Sequence, residues 1–161
     1  MALQSFSHVG VCSSDLDAST AFYRDVLGFT ELFTVELGPE VAATMEVDGR
    51  FLSRMLGRDD LLVELLQWVS HDPTGDGRRK PMTQLGLTHL CFRVDDVEDL
   101  VEIAERSGGA GHRSTQSVQP GVGVGGADVV TMYLTDPDGV RVEVMAGTPD
   151  LRALVRARAT G

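Results

Sequence analysis

The sequence predicts an α+β protein built from two tandem βαβββ modules. Three observations carry this: a gapless internal repeat, period-2 alternation in short apolar runs, and two segments of helical spacing at matching places. FSHVGVCSSDLDASTAFYRDVLGF (6–29) can be laid on LTHLCFRVDDVEDLVEIAERSGGA (87–110) without a gap. His8 then falls on His89, Asp15 on Asp96, Leu16 on Val97, Phe22 on Ile103 and Gly28 on Gly109. Such a repeat constrains the architecture before any single motif is weighed.

Each repeat opens with an alternating strand, SHVGV or LTHLCFRV. An acidic helix start follows, Asp15 or Asp95–Asp96, where a carboxylate can accept orphan backbone N–H groups. Leu16, Ser19, Phe22, Tyr23 and Val26 recur at helical spacing in the first repeat, and Val97, Leu100, Val101 and Ala104 in the second. Each predicted helix thus has one buried stripe. Gly28 and Gly108–Gly109 are suitable stops.

Period 2 then returns, in ELFTVEL (31–37), FLSRMLG (51–57) and LLVELLQW (61–68), and again in GHRSTQ (111–116), DVVTMYLT (128–135) and VRVEVMA (140–146). The last two are joined by Asp136-Pro137-Asp138-Gly139, a turn whose Gly can take positive φ. The first module spans 1–69, a linker 70–85, the second module 86–148, and a tail 149–161 that reads as a short basic helix. SVQPGVGVGGA (117–127) is too glycine-rich for a stiff strand and reads as a mobile loop over a site; no helix pattern or Lys-Ser/Thr makes it a phosphate loop. The linker, SHDPTGDGRRKPMTQ (70–84), has a solvated segment as its ordinary reading and an anion contact by Arg78, Arg79 and Lys80 as the other.

Composition excludes several partners. With 24 acidic against 14 basic side chains the net charge is −10, which disfavours nucleic acid and anionic membrane surfaces. No window approaches the roughly 18 apolar residues of a membrane span, and MALQSFSHVGV lacks the basic and apolar regions of a signal peptide, so a cytoplasmic protein is expected. Cys12 and Cys91 fall inside apparent strands and read as free, buried, structural thiols.

The repeat extends to the fourth strand of each module, where Glu64 corresponds to Glu143. Val140, Val142 and Val144 form the face that must cover a helix, so Arg141, Glu143 and Met145 point the other way. By the same alternation His8, Glu64 and His89 also point away from the helices. Glutamates flanked by Leu and Val are expensive to bury without positive compensation. Two imidazoles and two carboxylates converging there suit one divalent ion: Zn, Ni, Co, Fe or Mn. His71 and His112 lie in linker or loop sequence and default to solvent. Arg54, Arg93 and Arg141 are candidates to bind a substrate anion, and Trp68 and Met145 to wall the site.

With the paired modules, the SHVGV and LTHLCFRV strands, FYRDVLGF and TDPDGVRVEVM, the chain resembles the vicinal oxygen chelate superfamily from about residue 5 to 147. That superfamily includes glyoxalase I, methylmalonyl-CoA epimerase, extradiol dioxygenases and fosfomycin or bleomycin resistance proteins. The resemblance implies that the modules form an open, barrel-like cup around a metal site, closed within one chain or across a homodimer. It places His8, Glu64, His89 and Glu143 at the four metal-ligand positions, a set similar to those of glyoxalase I and the epimerase.

The implied reaction is that of an isomerase, epimerase or lyase on a small oxygen-rich carbonyl substrate. Chelation of two substrate oxygens would acidify the adjacent C–H and stabilise an enediolate, with Glu143 or Glu64 as the base. Ser53 stands near the place of the epimerase's separate glutamate base. Two rival readings are an Fe(II) dioxygenase using His8, His89 and Glu143, and a non-catalytic ligand- or antibiotic-binding protein.

Overall fold

The computed structural model describes residues 4–159. Its elements are β1 (Val9–Cys12), α1 (Leu16–Asp25), β2 (Thr30–Leu37), α2 (Pro39–Ala42), β3 (Phe51–Arg58) and β4 (Leu61–Trp68). The second repeat gives β5 (Leu90–Arg93), α3 (Glu98–Arg106), β6 (Ala110–Gln119), β7 (Val129–Thr135) and β8 (Arg141–Ala146), followed by α4 (Leu151–Ala159). The strands form two four-stranded sheets in the same order, β1-β4-β3-β2 and β5-β8-β7-β6. In each, the first strand runs parallel to the fourth and the remaining pairs are antiparallel.

Helix α1 starts where the sequence places it. Asp15 is the N-cap, and its Oδ1 accepts from the backbone N–H groups of Asp17 and Ala18. Asp96 does similar work before α3, accepting from the Glu98 N–H at 2.7 Å. The short α2 and a 3₁₀ turn at Ala43–Met45 fill a stretch for which no periodicity argued. The glycine-rich stretch is more ordered than its composition suggests. Strand β6 runs on to Gln119, and beyond it Val124 N–H bonds the Gly147 carbonyl.

One core serves both modules, and it lies on the helix side of both sheets. Phe22, Tyr23, Leu27, Val63 and Leu65 from the first module join Val101, Met132, Leu134, Val142 and Val144 from the second in a single buried cluster. Phe29 meets Phe92 edge-on at 6.0 Å across the boundary. Gly109 has no room for a side chain: a Cβ there would lie 2.3 Å from the Thr135 carbonyl oxygen and 2.5 Å from the Phe22 ring. Helix sides face inward, so the opposite faces of both sheets are left open.

The turn at 136–139 locks the modules together. Gly139 adopts φ 81°, as the turn demands. Asp136, 2% exposed, accepts from the N–H groups of Asp138 and Val140 through Oδ1, and the Tyr23 hydroxyl donates to its Oδ2 at 3.3 Å. Asp138 in turn accepts from the backbone N–H and hydroxyl of Ser14. Burial pushes the Asp136 carboxyl up to about 6, against the lowering effect of its backbone N–H donors. The folded chain therefore keeps that proton over a range where the unfolded chain has lost it. This contribution is full below about pH 4 and is lost as pH rises to about 6. Asp136→Asn keeps an acceptor for the two N–H groups and removes the titration. Urea midpoints measured at several pH values should show the wild type losing on the order of 3 kcal/mol relative to the variant between pH 4 and 7.

Candidate functional site

Each open sheet face carries one histidine–glutamate pair. His8 stands just before β1 and Glu64 on β4, with Nε2 3.1 Å from Oε2. His89 stands just before β5 and Glu143 on β8, with Nε2 3.0 Å from Oε2. The parallel register explains both: Gly10 is level with Glu64 and Cys91 with Glu143, so the residue two positions earlier shares the carboxylate's face. Both carboxylates are largely covered, at 13% and 16% side-chain exposure, so a compensating charge is at a premium.

Hydroxyls that the sequence reading passed over orient both pairs. Ser7 Oγ lies 2.9 Å from His8 Nδ1, and Thr88 Oγ1 lies 2.9 Å from His89 Nδ1. With Nδ1 engaged, each ring turns Nε2 toward the carboxylate. The signal was there, since a hydroxyl residue precedes each repeat-related histidine. On the carboxylate side, the Ser53 hydroxyl donates to Glu64 Oε1 at 2.5 Å and the Tyr133 hydroxyl to Glu143 Oε1 at 3.3 Å. Ser53 thus holds Glu64 from the neighbouring strand. Tyr133 also stands edge-on to His89 at 5.8 Å.

The two pairs are not brought together within one chain. Among the described residues no group of three or more His, Cys, Asp or Glu side chains is placed to hold a metal ion. The reason is the core: the modules meet through their helix sides, which leaves the pairs on separate faces. The thiols are not substitutes. Cys12 and Cys91 are free, as expected, but exposed and not buried. Their sulfurs are nonetheless partly covered: this partial desolvation, then the Glu143 charge and hydrogen bond, pushes the Cys91 thiol up to about 12, and partial desolvation with the Asp138 charge raises Cys12. Both stay protonated at neutral pH.

Of the residues proposed to contact substrate, Arg54 is misplaced. It pairs with Leu65, a helix-side residue, and its guanidinium binds Asp17 at 2.8 Å and Thr20 at 2.9 Å on α1. The strand alternation was misjudged by one residue, since Ser53 and Met55 take the open face. Trp68 lies on that face, its ring 5.0 Å from Phe51. Arg93 is tied to the tail, donating to the Thr148 carbonyl at 3.0 Å and lying 3.9 Å from Asp150. Arg141 shares the face of Glu143 and Tyr133, with its guanidinium carbon 5.2 Å from the Tyr133 ring centre. His71 is exposed as expected. His112, expected in solvent, is half-buried on β6 and lies 3.1 Å from Thr135 Oγ1. No helix among the described residues is long and apolar enough to cross a membrane.

Residues 5–144 match the family model of the Glyoxalase/Bleomycin resistance protein/Dioxygenase superfamily. The chain belongs to this superfamily. Over 136 residues it is 32% identical to a lactoylglutathione lyase of Haemophilus influenzae, covering 84% of this chain and 87% of that one. Over 138 residues it is 28% identical to an ethylmalonyl-CoA/methylmalonyl-CoA epimerase of Cereibacter sphaeroides, covering 86% and 94%. A glyoxalase family protein from Bacillus cereus shares the fold with a TM-score of 0.76 at 14% identity, covering 92% and 97% of the two chains. A fosfomycin resistance protein of Listeria monocytogenes, crystallised with Mn(II) and sulfate ion, superposes with a TM-score of 0.56 at 17% identity, covering 94% and 99%.

The ties of Arg54 give a first test of this site. Arg54→Gln should lower stability by about 2 kcal/mol, from the loss of charge-assisted bonds to α1. Metal binding by the folded variant should be unchanged, as read by thermal unfolding and metal analysis.

Proposed function

We propose that this superfamily member is a metal-dependent isomerase, epimerase or lyase working as a homodimer. In that dimer His8 and Glu64 of one chain, with His89 and Glu143 of a second copy, hold one divalent ion. The observation that carries the reading is the pair of repeat-related His–Glu contacts, 3.1 Å and 3.0 Å, on two sheet faces the chain itself does not bring together. Each pair offers one imidazole nitrogen and one carboxylate, half of a tetrahedral or octahedral N/O set. A second copy is the natural cover for these faces. Phe33 and Val35, 53% and 40% exposed, share the open face of the first sheet with Met55, Ser53 and Glu64. An isologous pairing would lay that face of one chain on the second sheet of the other, twice.

The donor chemistry fits a metal. If Nδ1–H of each histidine donates to Ser7 or Thr88, each Nε2 is left as a bare lone pair. A bound divalent ion supplies Lewis acidity, which makes a C–H beside a carbonyl easier to deprotonate. Glu64 and Glu143 differ in how closely a hydroxyl holds them. Glu64 Oε1 accepts a hydrogen bond of 2.5 Å from Ser53, whereas Glu143 Oε1 accepts one of 3.3 Å from Tyr133. We therefore give Glu143, with the longer hydroxyl contact, the role of base, and Glu64, held at the shorter one, that of ligand. The relatives named as lactoylglutathione lyase and methylmalonyl-CoA epimerase support proton-transfer chemistry on a small carbonyl compound.

Metal content decides between this reading and its rivals. About one ion per chain is expected, lost when His8 and Glu64, or His89 and Glu143, are replaced by alanine. Mixing those two double variants through an unfolding and refolding step should restore about a quarter of the sites, because each mixed dimer regains one complete set. No recovery on mixing would refute the shared site. Iron retained in Glu64→Ala, with oxygen consumption on a catechol, would favour an oxygenase. No metal after reconstitution would leave a metal-free binding protein. With metal bound, Glu143→Gln should slow turnover of whichever carbonyl substrate the wild type accepts by about 10³-fold.

A further inference from the structure

We infer that Arg141, with Arg79 and Lys80 of the linker, forms an oxyanion-binding subsite beside the His89–Glu143 pair. The substrate is then a carbonyl compound that carries a carboxylate or phosphate group. This rests on the proposed chemistry for the role of the neighbouring pair, and on the following observations for the subsite itself.

The chain is strongly acidic, with net charge −10, and its cations are correspondingly engaged. Arg24, Arg50, Arg54, Arg58, Arg78, Arg93, Arg106, Arg113, Arg152 and Arg156 each have a carboxylate oxygen within 4.0 Å. Among the described residues, Arg79, Lys80 and Arg141 have none. Three cations lacking acidic partners in a chain with an excess of acids would be unremarkable if scattered, but these converge. The Arg141 guanidinium donates to the Lys80 carbonyl at 2.8 Å, which anchors the linker residue next to Arg79 against β8, and burial, then the Arg79 and Arg141 charges, disfavour protonation of His112.

The place is concave. A cleft of about 720 Å³ runs between the linker and the edges of both modules, and its lining includes Lys80, Thr88, His89 and Arg141. Arg78 and Asp138 also line it, but Arg78 lies 4.0 Å from Asp76 and Asp138 is bonded to Ser14. The Tyr133 ring spans the gap between the two functions. It touches His89 edge-on on one side, holds Glu143 through its hydroxyl, and packs under the Arg141 guanidinium. Arg141 and Glu143 are two apart on one strand face, a Cα separation of about 7 Å. A short carbon chain could place its carbonyl at the His89–Glu143 pair and its acid group at the guanidinium. Arg141 offers a planar fork suited to carboxylate or phosphate oxygens, and the linker cations add charge without fixing geometry. At neutral pH His112 adds no charge, so the subsite's attraction comes from the three unpaired side chains.

The test is a titration of the full chain with inorganic phosphate and, separately, malonate, at low salt and pH 7, followed by the arginine Nε–Hε and backbone signals in NMR spectra. Saturable shifts centred on Arg141 and residues 79–80 are expected with one or both anions, and the tighter of the two distinguishes a phosphorylated from a carboxylic substrate. Arg141→Gln should weaken binding at least about tenfold, and Arg79→Gln/Lys80→Gln several-fold, while Arg113→Gln, which removes a paired surface arginine, leaves it unchanged. The linker variant changes only exposed side chains, so it keeps the test valid if Arg141→Gln proves unstable. Absence of saturable binding in the wild type, or equal weakening by Arg113→Gln, overturns the subsite. Metal content measured on the same samples separates the two ideas. Arg141-dependent anion binding in a chain that takes no metal would sink the proposed function and leave the subsite standing.

Discussion

The packing of two helix sides against each other is the constraint on which the rest of this structure depends. A sheet flanked by one helix has one face to bury locally and one to leave for something else. In this chain both local faces are spent on a common core that contains Phe22, Tyr23, Val101 and Val144. Asp136 and Asp138 fasten that arrangement with side-chain and backbone bonds to Tyr23 and Ser14, at the cost of one carboxyl buried in a region that favours its neutral form. Both His–Glu pairs are thereby displaced to the outward faces.

The repeat gives those faces matching chemistry. A hydroxyl residue, a histidine and, two positions beyond its level on the neighbouring strand, a glutamate recur in both modules with nearly the same contact distances. Around them the modules diverge. The first face is apolar, with Met55, Leu66, Phe51 and Trp68, and holds its glutamate tightly through Ser53. The second is polar and basic, with Tyr133, Arg141 and the neighbouring linker cations. On the proposed reading, duplication would supply symmetric donors for an ion, and divergence an asymmetric environment that orients a substrate. The proton transfer proposed above would use that asymmetry, because two equivalent carboxylates could not divide the roles of ligand and base.

Superfamily membership and the lyase and epimerase relatives fit this division of labour, but the physical case rests on the faces themselves. Glutamates beside leucine and valine are tolerable in an acidic chain only if a cation or a partner compensates them. A His–Glu pair on each of two outward faces, next to exposed Phe33 and Val35, is what motivates the proposal of a metal and a second copy.

Much of this was legible in the sequence, because strand alternation and helical spacing are local properties. The strands from 61 to 68 and 140 to 146, the Asp15 cap, the Gly139 turn and the two helices lie where periodicity and turn chemistry put them. The same alternation assigned His8, Glu64, His89 and Glu143 to faces away from the helices. It failed at Arg54, where the register of β3 against β4 decides the face, and at His112, whose surroundings come from Thr135 and two arginines distant in sequence. Register and long-range neighbours are settled by pairing between strands, which no local window contains. Which sides of the modules meet is likewise a tertiary matter: both faces of each sheet carry apolar residues, and contacts such as the close fit of Phe22 over Gly109, the Phe29–Phe92 packing and the Asp136 and Asp138 bonds hold the helix sides together. By itself the sequence determined the repeated strands and helices and the faces of the two His–Glu pairs; the tertiary structure decided that one chain holds those pairs apart.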